Sequence, residues 1–108
     1  METEFIQIST TSDDREVLEK IAARLVEDKV AACCQLEGPV TSVYRWEGKV
    51  ESASEFRLLI KTKAALFPSV EKTIVELHGY QRPQITAVPV VAVSDGYAAW
   101  IRDNTREA

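Results

Sequence analysis

Histidine and cysteine are scarce in this sequence: one histidine and two cysteines in 108 residues. The cysteines, Cys33 and Cys34, are adjacent, so in a strand their side chains point to opposite faces. They cannot clip distant parts of one chain together, which excludes a disulfide framework. Reduced thiols in a reducing compartment are the expected state. One histidine and two neighbouring cysteines also lack the spacing of a structural zinc site. Positive charge is not in excess: 13 Lys and Arg stand against 17 Asp and Glu, a net charge of −4, so there is no basic footprint for nucleic acid. An RNA-binding sheet would need an aromatic and basic strand motif, and none is present. No glycine-rich phosphate loop occurs. No apolar run approaches the roughly 20 residues of a membrane-spanning helix, and the start, METEFIQIST, lacks the basic and apolar segments of a signal peptide. The expectation is a cytoplasmic protein with no nucleic-acid or membrane partner. There is no internal repeat, linker or low-complexity segment, and the length fits one domain, residues 1–108.

What is present centres on Ala31 to Thr62. Two β-rich runs meet at Trp46-Glu47-Gly48-Lys49, where Gly48 can supply a positive φ. On the outgoing run Phe56, Leu58 and Ile60 share one face, while Glu55, Arg57 and Lys61 take the other together with Leu59. That period of two marks a strand with one face on a core. On the incoming run Tyr44 and Trp46 share a face, opposite Val43, Arg45 and Glu47. Each arm could run to about twice the common strand length of roughly 5–6 residues. Glu37-Gly38-Pro39 predicts a bulge or bend in the first arm. The tip is therefore expected to project beyond the body and leave unpaired backbone groups that another subunit meets.

The remaining elements follow from periodicity. Glu4 to Thr10 reads as a central strand with apolar residues on both faces. Asp13 and Glu16 resemble a capping box, and Val17, Leu18, Ile21, Ala22, Leu25 and Val26 form the stripe of an amphipathic helix ending near Asp28-Lys29. A second helix buries Phe67, Val70, Ile74 and Leu77, with Pro68 in its first turn and Gly79 placed to end it in a left-handed conformation. Tyr80-Gln81-Arg82-Pro83 is extended. Ile85 to Val93 is a final strand, with Pro89 at an edge or bulge. A short C-terminal helix follows, with Tyr97, Trp100 and Ile101 facing inward. The result is an α+β, ferredoxin-like βαββαβ order with an extended β-hairpin and a short C-terminal helix. That fold hosts enzymes, metal carriers, sensors and RNA binders, so it does not decide function.

Few residues carry chemistry. His78 ends the second helix; it suits a metal ligand or proton carrier, and equally a helix C-cap favoured by the macrodipole. Cys33 or Cys34 offers a soft thiolate to copper or zinc, or a small buried strand residue. A Cys–His nucleophilic pair is formally available, but no orienting third group or oxyanion turn accompanies it, so an enzyme is not expected. Tyr44, Trp46 and Tyr80 suit a ligand pocket or interface packing. Glu47, Glu51, Glu55 and Lys49 suit solvated or intersubunit pairs of small net value.

Taken together, Ala31-Ala32-Cys33, the run Thr41 to Lys49, Glu55 ahead of Ile60-Lys61-Thr62, His78 and Tyr80 with Pro83, and Trp100-Ile101 resemble the CutA family of divalent-cation tolerance proteins. The resemblance extends from Phe5 to Ile101. It implies a ferredoxin-like domain in a tight homotrimer, similar in architecture to PII signal proteins, with the long hairpins paired between subunits. It also implies a cytoplasmic bacterial protein linked to copper tolerance. The family's hairpin residues match Tyr44, Trp46, Glu47 and Lys49; its cysteine matches Cys33 and its histidine His78, which makes these two the implied ligands for copper or another divalent metal ion. The chain departs from the family at Ser9, Leu77, Gly79 and Gln84, and at Gln35 and Glu37-Gly38-Pro39. Two other roles fit the same resemblance. One is a PII-like module holding a small-molecule ligand in an intersubunit cleft at Lys61, Tyr80, Trp46 and Glu55. The other is a trimeric adaptor for a protein partner.

Overall fold

The computed structural model describes residues 3–108. Its elements are β1 (Phe5–Ser12), α1 (Arg15–Glu27), β2 (Cys33–Trp46), β3 (Lys49–Lys63), a 3-10 turn (Ala64–Leu66), α2 (Phe67–Leu77), β4 (Thr86–Pro89) and α3 (Asp95–Asp103). The four strands form one antiparallel sheet in the order β2-β3-β1-β4. This is the ferredoxin-like arrangement read from the sequence, with β1 central as its two apolar faces required.

One face of the sheet carries the main core. Ile6 and Ile8 from β1 and Leu58 and Ile60 from β3 alternate onto it. They meet Leu18, Ile21 and Leu25 of α1 and Val70 and Ile74 of α2. Each such side chain contributes about 1.5–3 kcal/mol of transfer free energy when fully buried. The opposite face is covered at one end only, where Phe5 and Ala32 pack against Ala98 and Ile101 of α3. Thr10 and Thr62 are buried on the core face. The Thr62 hydroxyl donates to the Val30 carbonyl at 2.6 Å, whereas the Thr10 hydroxyl has no partner among the described residues.

The hairpin has the expected reach. β2 and β3 run 14 and 15 residues, and β1 stops pairing at Ser12 opposite Phe56. Beyond that level Lys49–Glu55 pairs only with β2, and the chain extends over 45 × 28 × 22 Å. The tip is a two-residue turn with φ of 50° at Glu47 and 79° at Gly48. Two positive φ values define the type I′ turn, whose twist suits a hairpin. Gly48 was legible; Glu47 in the left-handed region was not, because its side chain gives no such preference.

The bulge at Glu37-Gly38-Pro39 is also present: Glu37 pairs with Arg57, and the next pair is Val40 with Glu55. Gly38 has φ of 132°, and a Cβ there would lie 3.1 Å from the Glu55 carbonyl oxygen and 3.2 Å from Phe56 Cα. Only glycine fits such a backbone and such an approach. The extra residue shifts side-chain parity. Cys33, Gln35 and Glu37 before the bulge therefore share a face with Val40, Tyr44 and Trp46 after it. That is the face bearing Glu55 and Lys61.

Several local expectations are corrected. Strand β1 is Phe5–Ser12 rather than Glu4–Thr10, because Thr11 and Ser12 continue the ladder to β3. The N-cap of α1 is Asp14, not Asp13, and its carboxylate accepts from the Glu16 N–H at 3.0 Å. Val26 lies on the exposed side of the α1 stripe. The helix ends in a Schellman motif in which Lys29 (φ 59°) takes the left-handed position and Val30 N–H reaches the Leu25 carbonyl at 3.0 Å. Gly79 does not end α2: His78 turns extended directly after Leu77, at φ −75° and ψ 135°. The last strand is four residues, Thr86–Pro89, rather than Ile85–Val93. Pro89 lacks the N–H to continue the ladder, and only Val90 N–H adds a further bond, to the Phe5 carbonyl. Tyr97 and Trp100 are exposed at 37% and 42%, so of the expected inward row only Ile101 is buried, joined by Ala98.

Opposite substitutions test the two strained positions. Glu47→Asn is expected to raise stability by about 0.5–1 kcal/mol, since asparagine tolerates the left-handed region. Gly38→Ala is expected to lower it by about 2 kcal/mol or more. Urea midpoints at matched protein concentration check both, and a destabilising Glu47→Asn would contradict the turn geometry.

Candidate functional site

The residues singled out by sequence fall into three places along the sheet. The first is the hairpin root, where β1 ends and β3 runs on. Here α2 delivers His78 and the following bend delivers Tyr80. The Tyr80 backbone N–H donates to His78 Nδ1 at 3.2 Å. With Nδ1 accepting, the proton sits on Nε2, which donates to the Thr11 carbonyl at 2.6 Å. The two rings meet edge to face, with centroids 4.6 Å apart. The Tyr80 hydroxyl accepts from Asp13 N–H at 2.9 Å and donates to Glu55 Oε2 at 2.8 Å. Glu55 and His78 are only 6% and 7% exposed. Burial and then the bond to Glu55 push the Tyr80 pKa up, partly offset by the Asp13 N–H. Tyr80 therefore remains a neutral donor. His78, Tyr80 and Glu55 form one connected network that ties α2, β1 and β3 together, and Pro83 follows the bend half-buried.

The second place is the hairpin tip. Tyr44 and Trp46 lie opposite Glu51 and Lys49 and are exposed at 44% and 42%. Glu47 and Lys49 are exposed beside them. The third is the α3 end of the sheet. Cys33 and Lys61 face each other across β2 and β3, and the Lys61 ammonium lies over the Tyr97 ring, 5.8 Å from its centroid. Tyr97 has its pKa raised by burial first and by the adjoining Cys33 second. Trp100 stacks on Tyr97 at 5.4 Å. Cys34 points into the core, where burial foremost and then Cys33 push its thiol up to about 12.

Lys61 and Glu55 stand six residues apart on β3, roughly 20 Å along the strand. One chain therefore does not bring Lys61 together with Tyr80, Trp46 and Glu55. Nor does it join Cys33 to His78. Cys33 is level with Lys61 and Gln7, while His78 binds at Thr11, about 13 Å further along and two strands across. Among the described residues no three His, Cys, Asp or Glu side chains gather as a metal site. Both His78 nitrogens are already in hydrogen bonds, and the Cys34 thiol is held protonated. His78 and Cys33 of one chain thus lie too far apart to share a metal ion, and His78 as placed has neither nitrogen free. Sequence reasoning missed Asp13 and Thr11 because they act through backbone groups. It missed the bond pair on His78 because no local pattern signals it.

These features describe an α+β protein with a ferredoxin-like sheet, a projecting hairpin and a buried polar network at its root. A family model for the CutA1 divalent ion tolerance protein matches residues 6–104, and the chain belongs to the CutA family. It is 39% identical over 95 residues to the divalent-cation tolerance protein CutA of Thermus thermophilus, covering 88% of this chain and 92% of that protein. It is 38% identical over 101 residues to the chloroplastic protein CutA of Arabidopsis thaliana, covering 94% of this chain but 56% of the plant protein. The chain thus spans about half the length of the plant relative and nearly all of the bacterial one. Among solved structures, CutA1 of Shewanella sp. SIB1 superimposes with a TM-score of 0.95 at 32% identity, over 99% of this chain and all of that one. The Thermus protein gives 0.91 at 36% identity, over 94% and 99%. Among the described residues no helix is long and apolar enough to cross a membrane. The Arabidopsis relative is named chloroplastic and a solved Archaeoglobus fulgidus relative is described as periplasmic, so relatives do not share one compartment.

Two measurements probe the site. His78→Ala strips partners from the Thr11 carbonyl and the Tyr80 N–H and is expected to cost about 2 kcal/mol; an unchanged urea midpoint would show that water replaces the ring at no cost. Alkaline stability probes Cys34. The unfolded thiol titrates at its ordinary 9.0 and the folded one near about 12. Between those values the unfolded state holds fewer protons, so this contribution to stability falls as pH rises. Melting from pH 8 to about 11 is expected to fall less steeply in Cys34→Ala than in the parent. Parallel slopes would mean the thiol is not withheld from ionisation.

Proposed function

We propose that the protein serves divalent-cation tolerance as a homotrimer, with copper foremost among the ions concerned and no enzymatic step. The observation that carries this is the unsatisfied hairpin. Beyond Ser12 the outer edge of β3 has no partner among the described residues, and β2 is an edge strand throughout. Long open edges invite another chain, and the exposed Tyr44 and Trp46 beside them are residue types enriched at interfaces. Membership of the CutA family supports three-fold assembly and the tolerance role, as the names of the relatives do for the latter. The naming of relatives as tolerance proteins supports a role other than catalysis. Any ion contact then falls on donors supplied by more than one chain, because one chain gathers no set of three among the described residues. The net charge of −4 and the two reduced thiols suit a cytoplasmic setting. An adaptor role for a protein partner would use the outer surface of the same trimer.

Sedimentation of the metal-free protein, followed by copper and zinc titration of the parent and of His78→Ala, tests the proposal. A trimer whose copper uptake persists in His78→Ala is the expected result. A monomer at micromolar concentration, or no uptake of either ion, overturns it.

A further inference from the structure

On the helix side of the sheet, opposite the exposed rings of the hairpin, a groove of about 270 Å³ lies between α1, α2 and the segment after α3. Val30, buried just past α1, is its apolar base. Arg24 of α1, Lys72 of α2 and Arg106 line it, together with the hydroxyl residues Ser69 and Thr73. Asp28 and Glu76 also border it. No residue of β2 or β4 takes part, so the sheet edges invoked for assembly lie elsewhere.

Tertiary structure brings the three cations together. The chain after α3 crosses to this side and is pinned there. Thr105 is buried, with its hydroxyl on the Ile101 carbonyl at 2.8 Å. The Arg106 backbone N–H donates to the Lys29 carbonyl at 2.8 Å, and its guanidinium reaches the Ser69 hydroxyl at 3.4 Å. Among the described residues none of the three cations is in an ion pair. Yet Arg24 has Asp28, and Lys72 has Glu76, four residues further along its helix, the spacing at which helix ion pairs form. Arg15 and Glu19 do pair at that spacing, at 3.5 Å. The pairs beside the groove stay open. Three unpaired cations on one groove repel one another, and an anion among them turns repulsion into attraction.

We infer that this groove binds a phosphate group. A phosphate monoester presents three strong acceptor oxygens and nearly two negative charges, one oxygen for each of Arg24, Lys72 and Arg106. Guanidinium forks suit such oxygens, and the hydroxyls of Ser69 and Thr73 can donate beside them. A carboxylate has only two oxygens and leaves one cation unserved. Organic ligands commonly fill about 300–1,000 Å³; the groove, at about 270 Å³, suits the phosphate itself rather than a large body attached to it. Asp28 and Glu76 oppose any anion and hold the affinity down. Each protomer contains the whole groove on its helix side, so the site goes beyond the assembly reading and does not rest on it.

Inorganic phosphate and ethyl phosphate are the probes, with acetate as the two-oxygen comparison. All are titrated at constant ionic strength, and amide NMR shifts of the full chain are the readout. Both phosphates are expected to give saturable shifts at Lys29, Ser69, Lys72 and Thr73, with acetate weaker by about fivefold. Tighter ethyl phosphate identifies an organic ester as the source of the group, and tighter inorganic phosphate the free ion; either supports the inference. Lys72→Met keeps the stem and removes the charge, and is expected to weaken phosphate about fivefold. Glu76→Gln is expected to act in the opposite direction, tightening it about threefold. Lys20→Met removes an exposed α1 cation outside the groove and is expected to change nothing. Lys72 is exposed, so its variant is expected to melt like the parent; if it melts early, Arg106→Gln takes its place. Absence of saturable shifts, acetate binding equal to phosphate, or equal losses from Lys20→Met and Lys72→Met each overturns the inference. Sedimentation of the same samples keeps the two readings distinct. A monomer that binds phosphate supports this groove and sinks the assembly, and a trimer blind to phosphate does the reverse.

Discussion

The structure depends on a mismatch of length between β1 and β3. Their ladder holds the centre of the sheet, from Phe5 opposite Lys63 to Ser12 opposite Phe56. It brings the two apolar rows of Ile6, Ile8, Leu58 and Ile60 onto one face beneath α1 and α2. Where β1 stops, β3 continues for seven more residues, Lys49 to Glu55, supported by β2 alone. The core ends there and the projecting edge begins. At that boundary Glu55 would be a buried carboxylate without compensation, and a bare one is costly. The chain answers with Tyr80, which is itself held by Asp13 and linked to His78. The root network is thus the polar seam required by the geometry of the sheet.

The same geometry spreads the candidate chemistry along the open face. One end has the Glu55–Tyr80–His78 network, the other has Lys61 with Cys33 and Tyr97, and roughly 20 Å of strand lies between. A family resemblance groups these residues by their positions in a motif, whereas the ladder places them by register. His78 illustrates the consequence. A histidine in a metal site needs one nitrogen free while the other is oriented by a hydrogen bond. Here Thr11 and Tyr80 take both. Cys33 keeps company with Lys61 instead, through direct pairing across β2 and β3.

The bulge at Gly38 gives the open face its aromatic end. By shifting parity, it turns Tyr44 and Trp46 to the side of Glu55 and Lys61 rather than the side of the helices. Without the extra residue those rings would continue the row that includes Cys34 and Leu36. Gly38 is confined by the Glu55 carbonyl and Phe56, so the change of face is built into the close contact of the two strands. With membership of the CutA family, this arrangement of exposed rings beside open edges is what the proposed assembly rests on.

Much of the fold was legible in the residues. The alternation of Phe56, Leu58 and Ile60, the stripes of α1 and α2, Pro68 in a first turn and Gly48 in a tight turn are local signals, each enforced by sterics or by one-sided burial within a few residues. Boundaries were read less well where a competing local partner decided: Asp14 over Asp13 at the α1 cap, Lys29 supplying a left-handed residue without being glycine, His78 turning extended before Gly79. The candidate site was legible as a set of residues but not as a geometry. Hydrogen bonds from Asp13 N–H and Thr11 C=O use backbone groups that every residue has, and so leave no mark in composition. By itself the sequence determined the element order, the buried rows and the long hairpin, because periodicity and turn chemistry act over short range. Tertiary structure alone decided that His78 has both nitrogens engaged and that Cys33 lies beside Lys61. Those facts depend on strand register and on which loop reaches which strand end, and contacts between residues 25 to 67 positions apart are set only when the sheet closes.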